Sequence, residues 1–175
     1  LLFLVQEPWK QFLAQEVEKF TKLSRAGVNF ALRQLAKEKL VRREKKAKIY
    51  LYSVNPTDPV IKQVKVLDTI TQLQPVLNEL KELAQKIVLF GSCARGDNIG
   101  SSDIDLFILT NNVPPSITER IQKHKLGSKI QLIVRNPTQY IQMQKEEPVF
   151  YNEIDRGITL WEFKDESRIW RMYQT

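Results

Sequence analysis

Two aspartates separated by one residue, Asp103 and Asp105, are the residues whose type and spacing best suit chemistry. They lie in the run Ser102 to Leu109, which is mostly apolar and predicts a strand. Because residues two apart in a strand point to the same face, both carboxylates are expected to aim the same way. Mg²⁺ prefers carboxylates together with substrate phosphate oxygens. The sequence therefore predicts a magnesium site, with Mn²⁺ as the alternative ion.

A glycine–serine pair lies ahead of these aspartates, at the end of another apolar run. Lys86 to Phe90 is followed directly by Gly91 and Ser92, and it predicts a buried strand. Glycine lets the backbone approach a ligand closely, while a serine hydroxyl and the N–H groups at a helix start attract anions. The sequence therefore predicts an anion site at this pair, although it contains neither a Walker loop nor a dinucleotide fingerprint.

Helices and strands further along the chain must complete the domain that positions these residues. Helices are predicted at 114–125, 137–145 and 148–156, and strands at 128–134 and 158–163. Helices and strands that alternate in this way are expected in an α/β (α+β) fold, in which a mixed sheet is flanked by helices. Packing roles are expected for Cys93, packing or interface roles for Trp161, Trp170 and Tyr173, and solvent exposure for His124.

The positive charge of the chain is concentrated in its first third. Residues 1–55 hold 12 Lys/Arg and 5 Asp/Glu, whereas residues 56–175 hold 15 of each, so the net charge of +7 lies in the first segment. This asymmetry indicates a two-part protein whose N-terminal part binds a polyanion. The alternative is that the charge only forms a solvated basic face. One cysteine and one histidine argue against a disulfide or a cysteine-based zinc site. No apolar run approaches the ~18 residues of a membrane span, so a cytoplasmic protein without membrane association is expected.

Two short helices and a hairpin are predicted in the basic segment. The helices are expected at 10–20 and 25–39, and the strands at 40–43 and 49–54 around a basic loop. Ser24 is a good N-cap for the second helix. A connector follows, with one helical pattern over 59–71 and another that restarts at Pro75. The predicted domains are therefore 1–55, a helical connector over 56–80, and 81–175.

The string LSRAGVNFALRQLAKEKLVRR, with KIYLYSVNP after it, resembles the winged helix-turn-helix domains of small prokaryotic transcriptional regulators. The resemblance implies that residues 1–55 bind DNA, with the second helix in the major groove and the wing against phosphate or the minor groove. The candidate contacts are Arg25, Asn29, Arg33, Lys37, Arg42, Arg43, Lys45, Lys46 and Lys48. Because winged helices also dock proteins, a protein-binding or purely structural role is the alternative. Such regulators often dimerise, which implies a homodimer.

The string FGSCARGDNIGSSDIDLFIL resembles the signature of the DNA polymerase beta-like nucleotidyltransferase superfamily. It is most similar to the minimal nucleotidyltransferases, small prokaryotic proteins often found in toxin–antitoxin pairs. The resemblance implies that Gly91 and Ser92 hold the phosphates of ATP or another nucleoside triphosphate, and that Asp103 and Asp105 hold the metal. Arg95 is either a further phosphate contact or an exposed helix residue. A protein acceptor, such as a toxin that its antitoxin modifies, is also implied.

One position departs from the pattern of active family members. These often carry a third acid on the next strand as the base for the attacking hydroxyl, and here that position falls at about Gln131. An amide cannot accept the proton. The first hypothesis is therefore an enzyme whose acceptor is activated in another way. The second is a DNA-binding regulator whose catalytically degenerate domain senses nucleotide or binds a partner.

Overall fold

The computed structural model describes residues 1–111 and 114–163. These residues form two compact units that alternate along the chain. The N-terminal unit contains Leu1–Thr71 and Ser92–Ser102, and the C-terminal unit contains Gln72–Gly91 and the described residues that follow Ser102. The segment between Gly91 and Asp103 therefore belongs to the first unit, although the residues on either side of it belong to the second.

The N-terminal unit is built from helices and a three-stranded antiparallel sheet. Its elements are α1 (Leu2–Gln6), β1 (Phe12–Leu13), α2 (Ala14–Thr21), α3 (Arg25–Lys37), β2 (Arg42–Lys46), β3 (Ile49–Ser53), the first half of α4 (Pro59–Leu80) and most of α5 (Gly91–Arg95). The strands are ordered β1-β3-β2, and Glu44 of β2 lies opposite Leu51 of β3. The predicted hairpin is present, with its first strand two residues later than expected.

Capping and strand pairing set the limits of α2 and α3. The Oγ of Ser24 accepts a hydrogen bond from the N–H of Gly27 at 3.2 Å, which satisfies a donor that the first helical turn leaves unpaired. The first predicted helix begins only at Ala14, because Phe12 and Leu13 pair with β3 instead. The N-cap prediction for α3 is thus confirmed, and the start predicted for α2 was four residues too early.

One apolar core holds the N-terminal unit together. Val28 and Leu32 of α3 are buried with Leu4 of α1, Tyr52 of β3 and Ile61 of α4, each at most 2% exposed. Burying an aliphatic side chain of this size stabilises a fold by about 1.5–3 kcal/mol. The apolar stripe predicted on the second helix is therefore confirmed as its core-facing side.

A four-stranded mixed sheet forms the centre of the C-terminal unit. Its elements are the second half of α4, β4 (Lys86–Phe90), β5 (Ile104–Leu109), α6 (Pro114–Gln122), a 3-10 turn (Gly127–Lys129), β6 (Ile130–Arg135), α7 (Pro137–Glu146), α8 (Pro148–Asp155) and β7 (Ile158–Glu162). The strand order is β6-β5-β4-β7. β4 runs antiparallel to both β5 and β7, whereas β5 and β6 are parallel. The mixed sheet with flanking helices predicted from the sequence is confirmed.

Side chains on both faces of β4 and β5 are buried, as expected for central strands. Val88 and Phe107 pack with Met143 of α7 and Ile154 of α8, each at most 2% exposed. The intervening residues, including Leu106, are also fully buried. The sheet therefore provides a rigid support for the residues at its strand ends.

The connector differs from its prediction, because α4 is one helix with Pro75 inside it. The solvent exposure expected for His124 also needs correction. The side chain of His124 is only 18% exposed and its Nε2 lies 3.2 Å from Oε1 of Glu79, so it is not a solvated surface residue. Trp170 and Tyr173 lie outside the described residues. Within the described ranges, every helix is too short or too polar to cross a bilayer.

Candidate active site

Gly91 and Asp105 lie against each other at the junction of β4 and α5. Phe90, the last residue of β4, is the register partner of Asp105 in β5. Gly91 has a φ of +68°, and a Cβ placed on it would overlap Oδ2 of Asp105 and lie 3.0 Å from its Cγ. Two features of this position therefore favour glycine. Glycine adopts the left-handed backbone conformation without strain, and its lack of a side chain leaves the space that the carboxylate fills.

Asp103 lies beside the next strand, two residues before Asp105. Its Oδ2 accepts a hydrogen bond of 2.8 Å from Nε2 of Gln131 on β6. Gln131 is also the parallel register partner of Asp105, so β5 and β6 bring these two positions side by side, while Asp103 directly precedes β5. The sequence-based expectation that the third position of the site would fall at Gln131 agrees with this register.

Asp103 and Asp105 are the two carboxylates of the predicted magnesium site. Within the described ranges, no group of three or more His, Cys, Asp or Glu side chains could hold a metal ion by itself. Mg²⁺ is usually bound through one or two carboxylates, substrate phosphates and water.

The segment after Gly91 is held by α4 within the N-terminal unit. The N–H of Asp97 donates to the carbonyl oxygen of Ser92 at 3.0 Å, which closes the turn of α5. Gly96 has a φ of +70°, and its Cα lies so close to the backbone of Lys62 that a Cβ would overlap the Lys62 carbonyl oxygen. The Nζ of Lys62 forms an ion pair of 2.8 Å with Oδ1 of Asp97. The hydrogen bond from Lys62, assisted by Arg95, lowers the pKa of the Asp97 carboxyl.

Arg95 pairs with the same carboxylate as Lys62. Its Nε lies 3.4 Å from Oδ2 of Asp97, and its side chain is 57% exposed. The phosphate contact expected of Arg95 stays a prediction, because this geometry fits an exposed arginine equally well. Cys93, two residues earlier, is 1% exposed, in line with the packing role expected for it.

The residues predicted to contact DNA, which are basic apart from Asn29, belong to α3, β2 and the turn after β2. All except Asn29 are exposed. Asn29 is partly buried, and its side-chain amide donates to the carbonyl oxygen of Arg25 at 2.8 Å. Nε of Arg33 donates to the carbonyl oxygen of Asn29 at 3.1 Å. The guanidinium carbon of Arg43 lies 3.6 Å from the ring centroid of Tyr50, a cation–π contact on the hairpin.

Sequence reasoning missed Lys65 of α4, which is only 4% exposed. The signal that could have found it is helical spacing. Ile61, Lys65, Thr69 and Leu73 recur every four residues and are all buried, so they share one face of the helix. A lysine within such a stripe is unusual, because lysine is almost never fully buried unless it is paired.

Comparison with known proteins gives one family and several structures of similar fold. Residues 71–166, more than half of the chain, match the family described as Polymerase beta, Nucleotidyltransferase. No curated protein matches the chain.

Three solved structures illustrate the structural likeness. A protein from Sulfolobus solfataricus, assigned to the nucleotidyltransferases, has 15% identity and a TM-score of 0.37, with 59% of this chain and 89% of that one covered. A toxin–antitoxin complex with AMP-PNP has 20% identity and a TM-score of 0.39, with 60% and 86% covered. A mutant of the toxin–antitoxin complex MntA-HpeT has 18% identity and a TM-score of 0.38, also with 60% and 86% covered.

Proposed function

Because the chain belongs to the polymerase beta nucleotidyltransferase family, we propose that it transfers a nucleotidyl group from a nucleoside triphosphate, with ATP as the first candidate, to a hydroxyl acceptor. The observation that carries the proposal is the fit between Gly91 and Asp105, where the carboxylate occupies the space of a missing Cβ. Asp103 lies two residues away with its carboxylate held by Gln131. This arrangement supports a two-carboxylate metal site at the strand ends.

Each residue of the site has a proposed role. Asp103 and Asp105 hold Mg²⁺, or Mn²⁺, against the phosphates of the nucleotide, while Gly91, Ser92 and Arg95 contact phosphate oxygens. When bound, the ion supplies charge neutralisation at the phosphoryl oxygens. The acceptor oxygen forms a bond to the α-phosphorus as the bond between the α-phosphorus and its bridging oxygen breaks. Pyrophosphate leaves, and the hydroxyl proton passes to a base.

The identity of that base decides between two candidate functions. Gln131 cannot take the proton, and its amide already donates to Asp103. In the first candidate the acceptor is activated by another group. In the second, which this hydrogen bond favours, the protein binds nucleotide without turnover and acts as a nucleotide-sensing regulator. We carry the transferase as the first proposal because both carboxylates of the metal site are present.

A labelling experiment tests the transferase proposal. The full chain is incubated with α-labelled ATP and Mg²⁺, alone and with DNA, RNA or a toxin-like partner as acceptor. We expect label in one of these products, and none with Asp103→Asn, which removes a metal ligand. Glu119→Gln, which neutralises an exposed carboxylate on α6, is the control and should keep wild-type activity. Wild-type label no greater than that of Asp103→Asn, in the presence of measurable ATP binding, would favour the sensor instead.

The N-terminal unit supports a second activity on the same chain. The order α2, turn, α3 and β-hairpin is the plan of a winged helix-turn-helix, and residues 1–55 carry the whole net positive charge. We therefore propose that this region binds DNA through α3 and the hairpin. The domain limits 1–55, 56–80 and 81–175, a toxin-like protein acceptor, and a homodimer remain proposals of the same kind.

A further inference from the structure

Phe30 of α3 is a large apolar residue that the fold leaves in solvent. It is 64% exposed, although the same helix buries Val28 and Leu32 in the core of the N-terminal unit. Phe20 of α2 is also exposed, but its ring stacks on that of Phe3 with the centroids 4.9 Å apart. Among the described residues, the ring of Phe30 has no such stacking partner. Packing within the unit therefore does not explain a phenylalanine at this position.

Phe30 lies on a face of α3 that is exposed and positively charged. Four exposed residues recur along this face at intervals of three or four, namely Ala26, Phe30, Arg33 and Lys37. Residues with this spacing lie on one side of a helix. Because α3 contains no acidic residue, the face carries only positive charge. A partner of this face must therefore be negatively charged and must also offer an apolar group to the phenyl ring.

Duplex DNA has both properties in its major groove. The groove admits an α-helix, and phosphates of negative charge lie along its edges. Each thymine presents a C5-methyl group there, which an apolar side chain such as phenylalanine can contact. The net charge of +7 in residues 1–55 favours this polyanion over a protein as the partner of α3.

Hydrogen bonds on α3 distinguish Arg33 from Asn29 as candidates for base contacts. Asn29 is partly buried, and its side-chain amide donates to the carbonyl oxygen of Arg25. Nε of Arg33 donates to the carbonyl oxygen of Asn29 at 3.1 Å, which holds the guanidinium beside Phe30 in the sequence of the helix. In the described part of the chain, no residue binds the two terminal nitrogens of Arg33. These nitrogens suit the O6 and N7 acceptors of a guanine.

We infer that Phe30 reads thymine by packing its ring against the C5-methyl group, while Arg33 contacts a guanine in the same groove. The inference rests on the DNA binding proposed for the N-terminal unit and deepens it, because it names the chemical group that is recognised. Three helical residues span about 4.5 Å, and successive base pairs lie about 3.4 Å apart. The thymine should therefore lie within about two base-pair steps of the guanine.

Replacement of thymine by deoxyuridine tests this contact, because it removes only the methyl group from the DNA. The 175-residue chain first selects its preferred sequence from a pool of random duplexes. Each thymine of that duplex is then replaced singly by deoxyuridine, and the affinity is measured by gel mobility shift. At the thymine that Phe30 contacts, we expect about fourfold weaker binding, as for the loss of one buried methyl group.

Substitution of Phe30 shows whether its ring causes this effect. Phe30→Ala should bind the thymine and deoxyuridine duplexes equally, whereas Phe30→Leu, which keeps an apolar side chain, should retain a smaller difference. Because Phe30 is exposed, we expect the melting temperature of both variants to stay at the wild-type value. Phe163→Ala is the matched control, since it removes a phenylalanine that is 67% exposed from the C-terminal unit. It should keep the full difference between the two duplexes.

The outcomes separate this inference from the proposed DNA binding. A wild-type chain that prefers one sequence but binds every deoxyuridine duplex as tightly as its parent overturns the thymine contact and leaves DNA binding standing. A difference that persists at full size in Phe30→Ala has the same meaning. Equal affinity for all sequences also overturns the inference, because only phosphate contacts would then remain. A chain that binds no duplex at low salt contradicts both proposals and favours a protein partner for this face of α3.

Discussion

Gly91 shows how one residue can serve both backbone geometry and site chemistry. The sequence predicts its role from the apolar run before it and the serine after it. The contact with Asp105 could not be predicted in the same way, because it depends on the pairing of Phe90 with Asp105 across β4 and β5. Local patterns predict strands well, but they leave open which residues of two strands become opposite partners.

Gly91→Ala is expected to disable the site. The Cβ of the alanine would overlap Oδ2 of Asp105. The alanine backbone would also have to adopt a φ of +68°, which costs an L-residue about 1–2 kcal/mol. Asp105 must therefore move, so nucleotide transfer in the labelling assay should fall to background, with a lower melting temperature. Gly27→Ala is the control, since its Cβ would meet only Ser24 Oγ at 3.3 Å and Leu23 Cβ at 4.0 Å. Full activity in Gly91→Ala would contradict the role given to this contact.

Gln131→Glu tests whether the amide of Gln131, in place of a carboxylate, limits the rate of nucleotidyl transfer. The change removes the donor to Asp103 and sets a like charge near it, so the free protein should lose about 1 kcal/mol of stability. A bound Mg²⁺ would offset the repulsion, and the melting temperature should rise more with Mg²⁺ than in the wild type. If the missing base limits transfer, label should increase by up to about 10²-fold.

Gln131→Met is the matched control for that change. It loses the hydrogen-bond donor to Asp103 without adding a charge, so it should lose stability but gain no additional response to Mg²⁺. Equal Mg²⁺ responses in the glutamate and methionine variants would mean that residue 131 does not border a metal site.

At the scale of elements, α4 differs most from its prediction. The sequence pattern predicts a new helix that starts at Pro75, because proline lacks the N–H that would bond to the carbonyl of Thr71. Its interruption costs about 3 kcal/mol. The surrounding residues Leu73, Val76 and Leu77 are at most 2% exposed, and each contributes about 1.5–3 kcal/mol by burial, so packing outweighs the missing hydrogen bond. Such burial depends on tertiary structure and could not be predicted from the local pattern.

Pro75→Ala should therefore stabilise the protein. Alanine restores the hydrogen bond to the carbonyl of Thr71, and Pro75 is exposed, so no packing is lost. Because alanine also gives the unfolded chain more freedom, we expect a net gain of about 1–3 kcal/mol in the free energy of unfolding. Urea denaturation of both proteins measures it, with the exposed neighbour Gln72→Ala as a control that should change little. An unchanged or lower value would show that α4 is built around the proline ring.

Elements with strong local signals were predicted most accurately. α8 begins at Pro148 and β7 begins at Ile158, both as predicted, because Pro148 and Gly157 mark these limits in the sequence. Lys65 shows the limit of this approach: its stripe is visible in the spacing of Ile61 and Thr69, but the charges around it come from a segment some 30 residues later in the chain. The local pattern therefore predicts which face of α4 is buried, whereas the charges near Lys65 depend on the fold.

At the scale of the whole molecule, the net positive charge is concentrated in the N-terminal part of the chain. The excess of +7 lies within residues 1–55, and the exposed lysines and arginines of α3 and the hairpin account for most of the candidate DNA contacts. The sequence predicted this division from composition alone. It could not predict that Ile61 and the segment Ser92–Ser102 would join the same unit. Tests of DNA binding therefore need the full chain, because residues 1–55 alone would lack part of their core.

The 175-residue chain should bind duplex DNA with an affinity that falls steeply as the salt concentration rises. Each phosphate neutralised by a lysine or arginine contributes about −0.9 to the slope of log K against log salt. Lys45→Ala, on the exposed hairpin, should make the measured slope less steep by about 1 and weaken binding to all sequences alike. Arg33→Ala on α3 should instead cost about 1–3 kcal/mol on the preferred sequence if it reads a base. Lys123→Ala, an exposed lysine of the C-terminal unit, is the control for net charge. Equal slopes for the wild type and Lys45→Ala, or no binding at low salt, would favour the alternative that the winged helix docks a protein.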